Sequence, residues 1–394
     1  EHNKLKELND AVLSDINALL SIIRKNHHVD VESIDCIVVA GNTTMTHLFL
    51  GLDPSAIREE PYIPTANNFP LAFAGEVGIR ANPNVPIYSF PCVASYVGGD
   101  IVSGVLATRL HTRQELCIFI DIGTNGEIVI GNSEWLMAAA CSAGPCFEGS
   151  GIKCGMRAVD GAIEGIKINR QTLDVEIKVI GNSPLEQGGF PSNQNIKPTG
   201  ICGSGMVDAI AEMFLTGIID QKGKLQQDVS KRVRQGEDGL EFVVYCGDNK
   251  DIVLAEPDIE NIIRSKAAIY AGFSTILKEV GFTFNDIRKV YIAGGFGKFL
   301  DIERAIMLGM LPELPKERFE YMGNTSVTGA YLCLLSRKLR SEAEEIAKKM
   351  TYLELSVSHS FMNEYISGLF IPHTNIDAFP GVQQMMKKQG RSQS

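Results

Sequence analysis

No Cys-x-x-Cys pair occurs among the nine cysteines of this chain, and most of them sit inside apolar stretches, as Cys36, Cys117, Cys202 and Cys333 do. That fits reduced thiols better than a disulfide framework. No uninterrupted apolar run approaches the roughly 18 residues that a membrane-spanning helix needs. The polar, helical opening shows no signal-peptide character. The expectation is a soluble cytosolic protein with no membrane partner. Basic clusters are missing too: 37 lysines and arginines stand against 47 acidic residues, for a net charge of −10, which argues against nucleic acid as a partner. A small anionic ligand would then need local backbone donors. The seven histidines show no metal-ligand spacing with one another.

What the chain has instead is half of itself twice. Residues 29–42, VDVESIDCIVVAGN, align without a gap on residues 282–295, FTFNDIRKVYIAGG, at a constant offset of 253. Ile37, Val38, Val39, Ala40 and Gly41 match Val290, Tyr291, Ile292, Ala293 and Gly294 as one buried strand ending in one glycine. Each copy follows an apolar helix and precedes another that ends in Leu-Gly-x-x-Pro. A duplicated α/β unit predicts two like-built lobes with a cleft between them. With 394 residues and 44% hydrophobic content the chain suits two such lobes. The first copy has no counterpart of the segment CIFIDIGTNGEIVIGN, residues 117–132. An Asp-x-Gly-Thr hairpin is therefore expected upstream of Glu1, and the chain is expected to be a fragment.

Periodicity gives a coarse map. A helix over residues 5–23 leads to a strand at 34–40, a helix at 45–49, an irregular Pro/Asn stretch at 53–86, a strand at 87–90 and a helix after Gly98-Gly99-Asp100. The second half opens with a hairpin at 117–130, then strands near 135–141, 162–168 and 173–180, and a helix at 205–217. Residues 220–250 look like a polar surface excursion. Helix 258–280, the repeated strand, helix 301–309, a strand at 318–322, a helix at 326–347, and finally an extra strand and an amphipathic segment complete the map. The expected domains are a first lobe at 1–112, a second at 113–350, an extension at 351–380 and a disordered tail at 381–394.

Three glycine-dense turns carry the chemistry. Ile118, Phe119 and Ile120 deliver Asp121 to the end of a buried strand, and Gly123-Thr124-Asn125-Gly126 forms a tight turn before Glu127. Its backbone N–H groups can cradle phosphate while Asp121 reaches Mg²⁺ through water, although Asn-Gly is also a plain hairpin signal. Gly203-Ser204-Gly205 opens a helix, where Ser204 can hold phosphate or act as a cap. Gly294-Gly295, directly after a buried strand, suits a flat ligand such as adenine and its ribose; the glycine spacing in 292–301 fits neither a dinucleotide fingerprint nor a Walker A loop. Gly323-Asn324 follows the next strand and can complete that pocket or serve as an N-cap.

DIGTNGE, TGICGSGMVDAIAEM, VYIAGGFGKFLD and GNTSVTGA, in that order and with the duplication, resemble the acetate and sugar kinase, heat-shock ATPase and actin superfamily. With GNTTMTHLFLGLDP, ASYVGGDI and AACSAGPCFEGSGI, the chain is similar to the ATP-dependent reductive activators of corrinoid proteins over nearly all of residues 1–380. The resemblance implies a duplicated actin/hexokinase-like ATPase fold, two lobes with a nucleotide cleft, and ATP-linked lobe closure driving one-electron reduction of Co(II) to Co(I). It implies that Asp121, Gly123, Thr124 and Asn125 hold phosphate and Mg²⁺, with Asp121 as metal contact and catalytic group. Gly203, Ser204 and Gly205 would line the phosphate side, and Gly294, Gly295, Gly323 and Asn324 would hold adenosine. The partner it implies is a corrinoid protein of a methyltransferase system. The family's [2Fe–2S] cluster belongs to an N-terminal ferredoxin-like domain and is expected outside this chain. Alternatives are a small-molecule kinase of the same fold, an activator of a 2-hydroxyacyl-CoA dehydratase, and an interaction platform without catalysis.

Ser142, in the loop from Ala140 to Gly149, is proposed as an oxygen contact to the corrinoid cobalt; a Ser-Ala-Gly-Pro turn is also an ordinary way to leave a sheet. Cys141, Cys146 and Cys154 match no standard cluster spacing. Asp100 is positioned to act as a general base or as an N-cap. Lys266 and Lys298 are expected near the proposed nucleotide pocket, although most lysines are solvated surface residues and neither is assigned a role; His47 reads as a packed or capping histidine rather than a metal ligand. The apolar segment 361–371 suits a homodimer.

Overall fold

A computed structural model describes residues 4–181, 196–248, 250–295 and 300–388. They divide into two compact units. The first comprises Glu1–Phe119, Val129–Ala140 and Asn324–Leu353, and the second Ile120–Ile128, Cys141–Gly323 and Glu354–Ser394.

In chain order the first elements are α1 (Leu5–His27), β1 (Ile37–Val39), α2 (Thr43–Leu50), β2 (Ala72–Phe73), α3 (Ala74–Val77), β3 (Pro86–Ser89) and α4 (Gly99–Thr108). Next come β4 (Cys117–Ile122), β5 (Gly126–Gly131), β6 (Leu136–Cys141), β7 (Ala162–Ile168), β8 (Val175–Val179), β9 (Gly200–Ile201) and α5 (Gly203–Thr216). Then follow β10 (Val233–Gly236), β11 (Gly239–Tyr245), β12 (Ile252–Ala255), α6 (Glu256–Glu279), β13 (Lys289–Ala293), α7 (Ile302–Leu308) and β14 (Phe319–Gly323). The chain closes with α8 (Thr325–Leu335), α9 (Arg337–Lys349), β15 (Met350–Leu353), α10 (His359–Gly368) and α11 (Pro380–Lys388).

The duplication seen in the sequence is a duplication of structure. In the first unit α1 leads through a 3-10 turn, Val31–Ser33, into β1 and then α2; in the second, α6 leads through Phe284–Asp286 into β13 and then α7. β1 pairs in parallel with β3, and β13 in parallel with β14. Both following helices carry side-chain caps, from Asn42 and Asp301. Both end on a left-handed glycine, Gly51 at φ 69° and Gly309 at φ 76°. In the first unit the apolar face of α1 packs Leu13 with Phe49, Ile79 and Ile87. Buried Asn17 fastens that helix, donating to the Gly78 carbonyl at 3.1 Å and accepting from the Arg80 N–H at 2.7 Å.

The largest sheet has the order β14-β13-β4-β5-β6-β15. β4 is buried at every position but Asp121, which is half-buried, so its unbroken apolar run is the mark of a central strand.

Three sequence expectations are corrected. The supposed surface excursion at 220–250 contains the antiparallel β10 and β11, which join β12 in one sheet. Phe242 and Val244 are buried there. Its charges hid the pattern by pairing with one another: Arg234 reaches Glu241 at 3.0 Å and Asp251 at 2.8 Å. The helix expected at 326–347 is two helices, because Ser336 is extended at φ −147°. Residues 380–388, assigned in part to a disordered tail, form α11, which buries Val382 and Met386 one turn apart. Residues 389–394 lie outside the described residues.

α10 lies on α6, and a buried lysine fastens the chain beyond it. Lys266 Nζ donates to the carbonyls of Phe370 and Pro372, each at 2.6 Å. Burial pushes its pKa well below the ordinary lysine value. The folded state therefore disfavours the charge, a cost present in full below the depressed folded pKa and lifted as pH rises towards the unfolded value of about 10.4. Wild type should accordingly gain stability relative to Lys266→Met as pH is raised. Urea unfolding of both proteins at a series of pH values measures this, and a pH-independent difference would contradict it.

Candidate functional site

A cavity of about 490 Å³ in the second unit gathers the three glycine-dense segments. Asp121 and Gly123 enter from the β4–β5 turn, Gly203 and Ser204 from the start of α5, and Gly294 and Gly295 from the end of β13. Each element ends at the cavity for a local reason. The β4–β5 turn is closed by the Gly123 N–H donating to the Asn125 carbonyl at 2.9 Å. At its far side Cys141 Sγ lies 3.1 Å from the Gly126 carbonyl, in space that a side chain on Gly126 would fill.

α5 begins without any side-chain cap on its first turn, so its leading N–H groups carry the partial positive charge of an open helix start. Gly203 and Ser204 present that start to the cavity. Two carboxylates four residues apart hold the helix along β7 where its pairing with β9 ends. Asp208 accepts from the Ile166 N–H at 3.3 Å and Glu212 from the Ile168 N–H at 3.2 Å. Glu212 also pairs with Arg304. Burial raises the Asp208 pKa to about 7.

Gly294 is glycine of necessity. Its φ is +97°, and a Cβ there would stand 2.6 Å from the Ile122 carbonyl oxygen and 2.8 Å from Asp121 Oδ1. Gly295 differs: among the described residues nothing lies within 4 Å of its Cβ position. The Gly294 N–H donates to the Gly323 carbonyl at 3.2 Å, which ties the ends of β13 and β14 together.

The remaining singled-out residues are engaged by neighbours within the fold or lie away from the cavity. Gly205 serves packing, since a Cβ there would meet the Ile163 carbonyl oxygen at 2.3 Å. The Ser204 hydroxyl donates to the Glu164 carbonyl at 2.9 Å. Thr124 Oγ1 donates to Glu148 Oε2 at 2.7 Å. Asn324 caps α8 by accepting from the Val327 N–H at 3.0 Å. Asp100 belongs to the first unit, in the first turn of α4, where burial raises its pKa to about 6 and Oδ1 accepts from the Ile101 N–H at 2.9 Å. Its helix is capped by Gly98 instead. His47 is packed: Nε2 accepts from the Ala66 N–H at 3.3 Å, so Nδ1 carries the proton donated to the Thr43 carbonyl at 2.7 Å. Lys298 lies outside the described residues.

Ser142 lines a second cavity of the same unit, about 350 Å³, with Pro145, Cys146, Arg264 and Tyr365. Cys146 Sγ contacts Ser265 Oγ at 3.0 Å. Burial pushes the Cys141 thiol up to about 12 and raises that of Cys146 as well. Among the described residues no group of three or more His, Cys, Asp or Glu side chains is placed to hold a metal ion. The described cysteines therefore do not fit an iron–sulfur cluster.

Two charged residues of the larger cavity escaped the sequence reading. Arg157 is exposed and makes no ion pair among the described residues. Its segment is stapled beside the start of α5, with Met156 N–H donating to Ile201 O at 2.9 Å and Ile201 N–H to Cys154 O at 2.8 Å. Glu148 reaches the cavity from a 3-10 turn, Pro145–Glu148. Only the crowded glycines around them, Gly149 and Gly155, marked this loop as built rather than loose.

A duplicated helix–strand–helix unit whose second copy joins an aspartate hairpin and an open helix start around one cavity defines an actin-like ATPase fold. Residues 115–383 match the family model described as the C-terminal domain of RACo, the ASKHA domain, and residues 1–113 match the RACo middle region. The chain belongs to this family, as the motifs had indicated. It is 29% identical over 374 residues to the corrinoid activation enzyme RamQ of Eubacterium limosum, covering 92% of this chain and 60% of that protein. It is 27% identical over 365 residues to the Co(II) methylated amine-specific corrinoid protein reductase of Methanosarcina barkeri, covering 86% of this chain and 63% of that one. A solved structure titled reductive activator for corrinoid, iron-sulfur protein matches with a TM-score of 0.87 and 51% identity, over 97% of this chain and 59% of its own. The chain thus spans about three fifths of the length of these relatives. No described helix is long and apolar enough to cross a membrane.

Proposed function

We propose that this chain is the ATP-binding portion of a reductive activator, a protein that uses ATP to drive one electron onto the Co(II) of a methyltransferase system's corrinoid protein, giving Co(I). Supporting this is one observation above the rest: Asp121, Gly123, Gly203, Ser204, Gly294 and Gly295 line a single cavity. Its donor set fits a magnesium nucleotide. Mg²⁺ bound with phosphates needs only one or two carboxylates and keeps several waters, a role for Asp121. The open start of α5 and the β4–β5 turn suit phosphate oxygens. Gly294, Gly295 and Gly323 would take the adenosine side, where no described atom lies within 4 Å of the Cβ positions of Gly295 and Gly323, leaving room for a flat base.

When bound, ATP supplies the free energy of its hydrolysis. The chain's own residues bind and orient it, and differential affinity for two conformations turns that binding into work on the partner. The electron would come from a reduced [2Fe–2S] cluster carried by an N-terminal ferredoxin-like domain of the whole protein. Ser142 would offer its exposed hydroxyl to the cobalt from the second cavity. A homodimer would use the exposed Met362 and Ile366 of α10, which sedimentation of the chain tests.

Visible spectroscopy of Co(I) formation, with the whole protein, its corrinoid partner and a reductant, tests the function. Co(I) should accumulate only with ATP. Ser142→Ala should slow that reduction several-fold while leaving nucleotide affinity unchanged, and an unaltered rate would remove Ser142 from the site.

A further inference from the structure

One seven-residue stretch, 142–148, lines both the larger cavity and the Ser142 cavity. Ser142 and Cys146 face the smaller one, while Phe147 and Glu148 face the larger. The stretch is short and held at both ends. Ser265 of α6 donates to the Ala143 carbonyl and contacts Cys146 Sγ at 3.0 Å. Gly149, at φ +89°, donates to the Cys146 carbonyl at 2.9 Å, and a Cβ on it would strike the Met156 N at 2.5 Å. A single 3-10 turn, Pro145–Glu148, joins those anchors. A shift of Glu148 has little slack in which to be absorbed before it reaches Cys146 and Ser142.

Glu148 stands where an anion would come. Its Oε2 accepts the Thr124 hydroxyl at 2.7 Å, and its Oε1 lies 3.6 Å from the Cβ position of Gly123. A phosphate seated on the Gly123–Asn125 turn would meet this exposed carboxylate, and like charges about 4 Å apart repel by about 1 kcal/mol even in water. We infer that Glu148 is the positioning residue that couples the two cavities: phosphate takes over Thr124, Glu148 withdraws, and the 3-10 turn carries the displacement to the Ser142 loop. This rests on the nucleotide and Ser142 assignments above and adds the link between them.

Glu148→Gln tests it, because glutamine keeps the side chain's length and its bond to Thr124 but removes the charge. Isothermal titration with MgATP and hydrogen exchange of the amides 142–148, run on this chain, give two readouts. Wild type should bind MgATP and show faster exchange in 142–148 when it does. The variant should bind MgATP tighter, on the order of three- to tenfold for one removed like charge, with a smaller nucleotide-induced change in exchange. Weaker MgATP binding by the variant would make Glu148 a metal contact and overturn the coupling role, as would unchanged affinity with an unchanged exchange response. Absence of MgATP binding by wild type would instead overturn the proposed function, and the coupling role with it.

Discussion

Asp121→Asn is expected to weaken MgATP binding roughly ten- to 100-fold, the effect of losing one charged hydrogen-bonding partner of about 1.5–3 kcal/mol. Asp121, next to last in β4, is the one position of that strand not fully buried, and it opens onto the cavity. Asparagine has the same shape, so β4 should keep its place in the sheet and the melting temperature should hardly move. The loss should also depend on the metal. Without Mg²⁺ the variant and wild type should bind nucleotide alike, because the carboxylate acts through the ion's water shell. Titrations with and without Mg²⁺ measure this, and an equal loss in both would remove Asp121 from the metal.

The neighbouring glycines should separate fold from ligand. Gly294→Ala puts a methyl at φ +97° within 2.6 Å of the Ile122 carbonyl oxygen and 2.8 Å of Asp121 Oδ1. That strain, of about 1–3 kcal/mol, should lower the melting temperature and displace Asp121, abolishing measurable MgATP binding. Gly295→Ala meets no atom of the described residues within 4 Å, so the fold should tolerate it. Its methyl nevertheless enters the space assigned to adenosine, and affinity should fall at least about tenfold, the loss expected when a ligand group is crowded out by 1.4 kcal/mol or more. Thermal melts beside titrations distinguish the two. A stable Gly295→Ala protein with full affinity would move the adenosine site elsewhere.

The part of the fold that was legible in the sequence rests on local rules. β1 and β13 read as copies because both are short apolar runs before a glycine, and their flanking helices carry ordinary caps and left-handed glycine ends. The Asp121 turn was visible as an Asn-Gly hairpin signal, and Gly294, at φ +97°, because few residues but glycine tolerate such backbone. Gly205 shows where this fails. It looks like one more phosphate glycine, yet its reason is the carbonyl of Ile163, 42 residues earlier in β7. Arg157 and Glu148 were hidden because each reaches the cavity from a loop with no periodicity, held by partners distant in the chain such as Ile201 and Thr124. The β10–β11 hairpin was hidden by charges that neutralise one another only once the strands have paired.

Calorimetric titration of this chain with MgATP is the most direct test of the central claim, that glycine turns of the second unit grip the nucleotide. One site per chain should appear, with affinity that falls when Mg²⁺ is withheld and again in Asp121→Asn. A wild-type chain that gives no binding heat with MgATP and no shift in melting temperature at saturating nucleotide would contradict it.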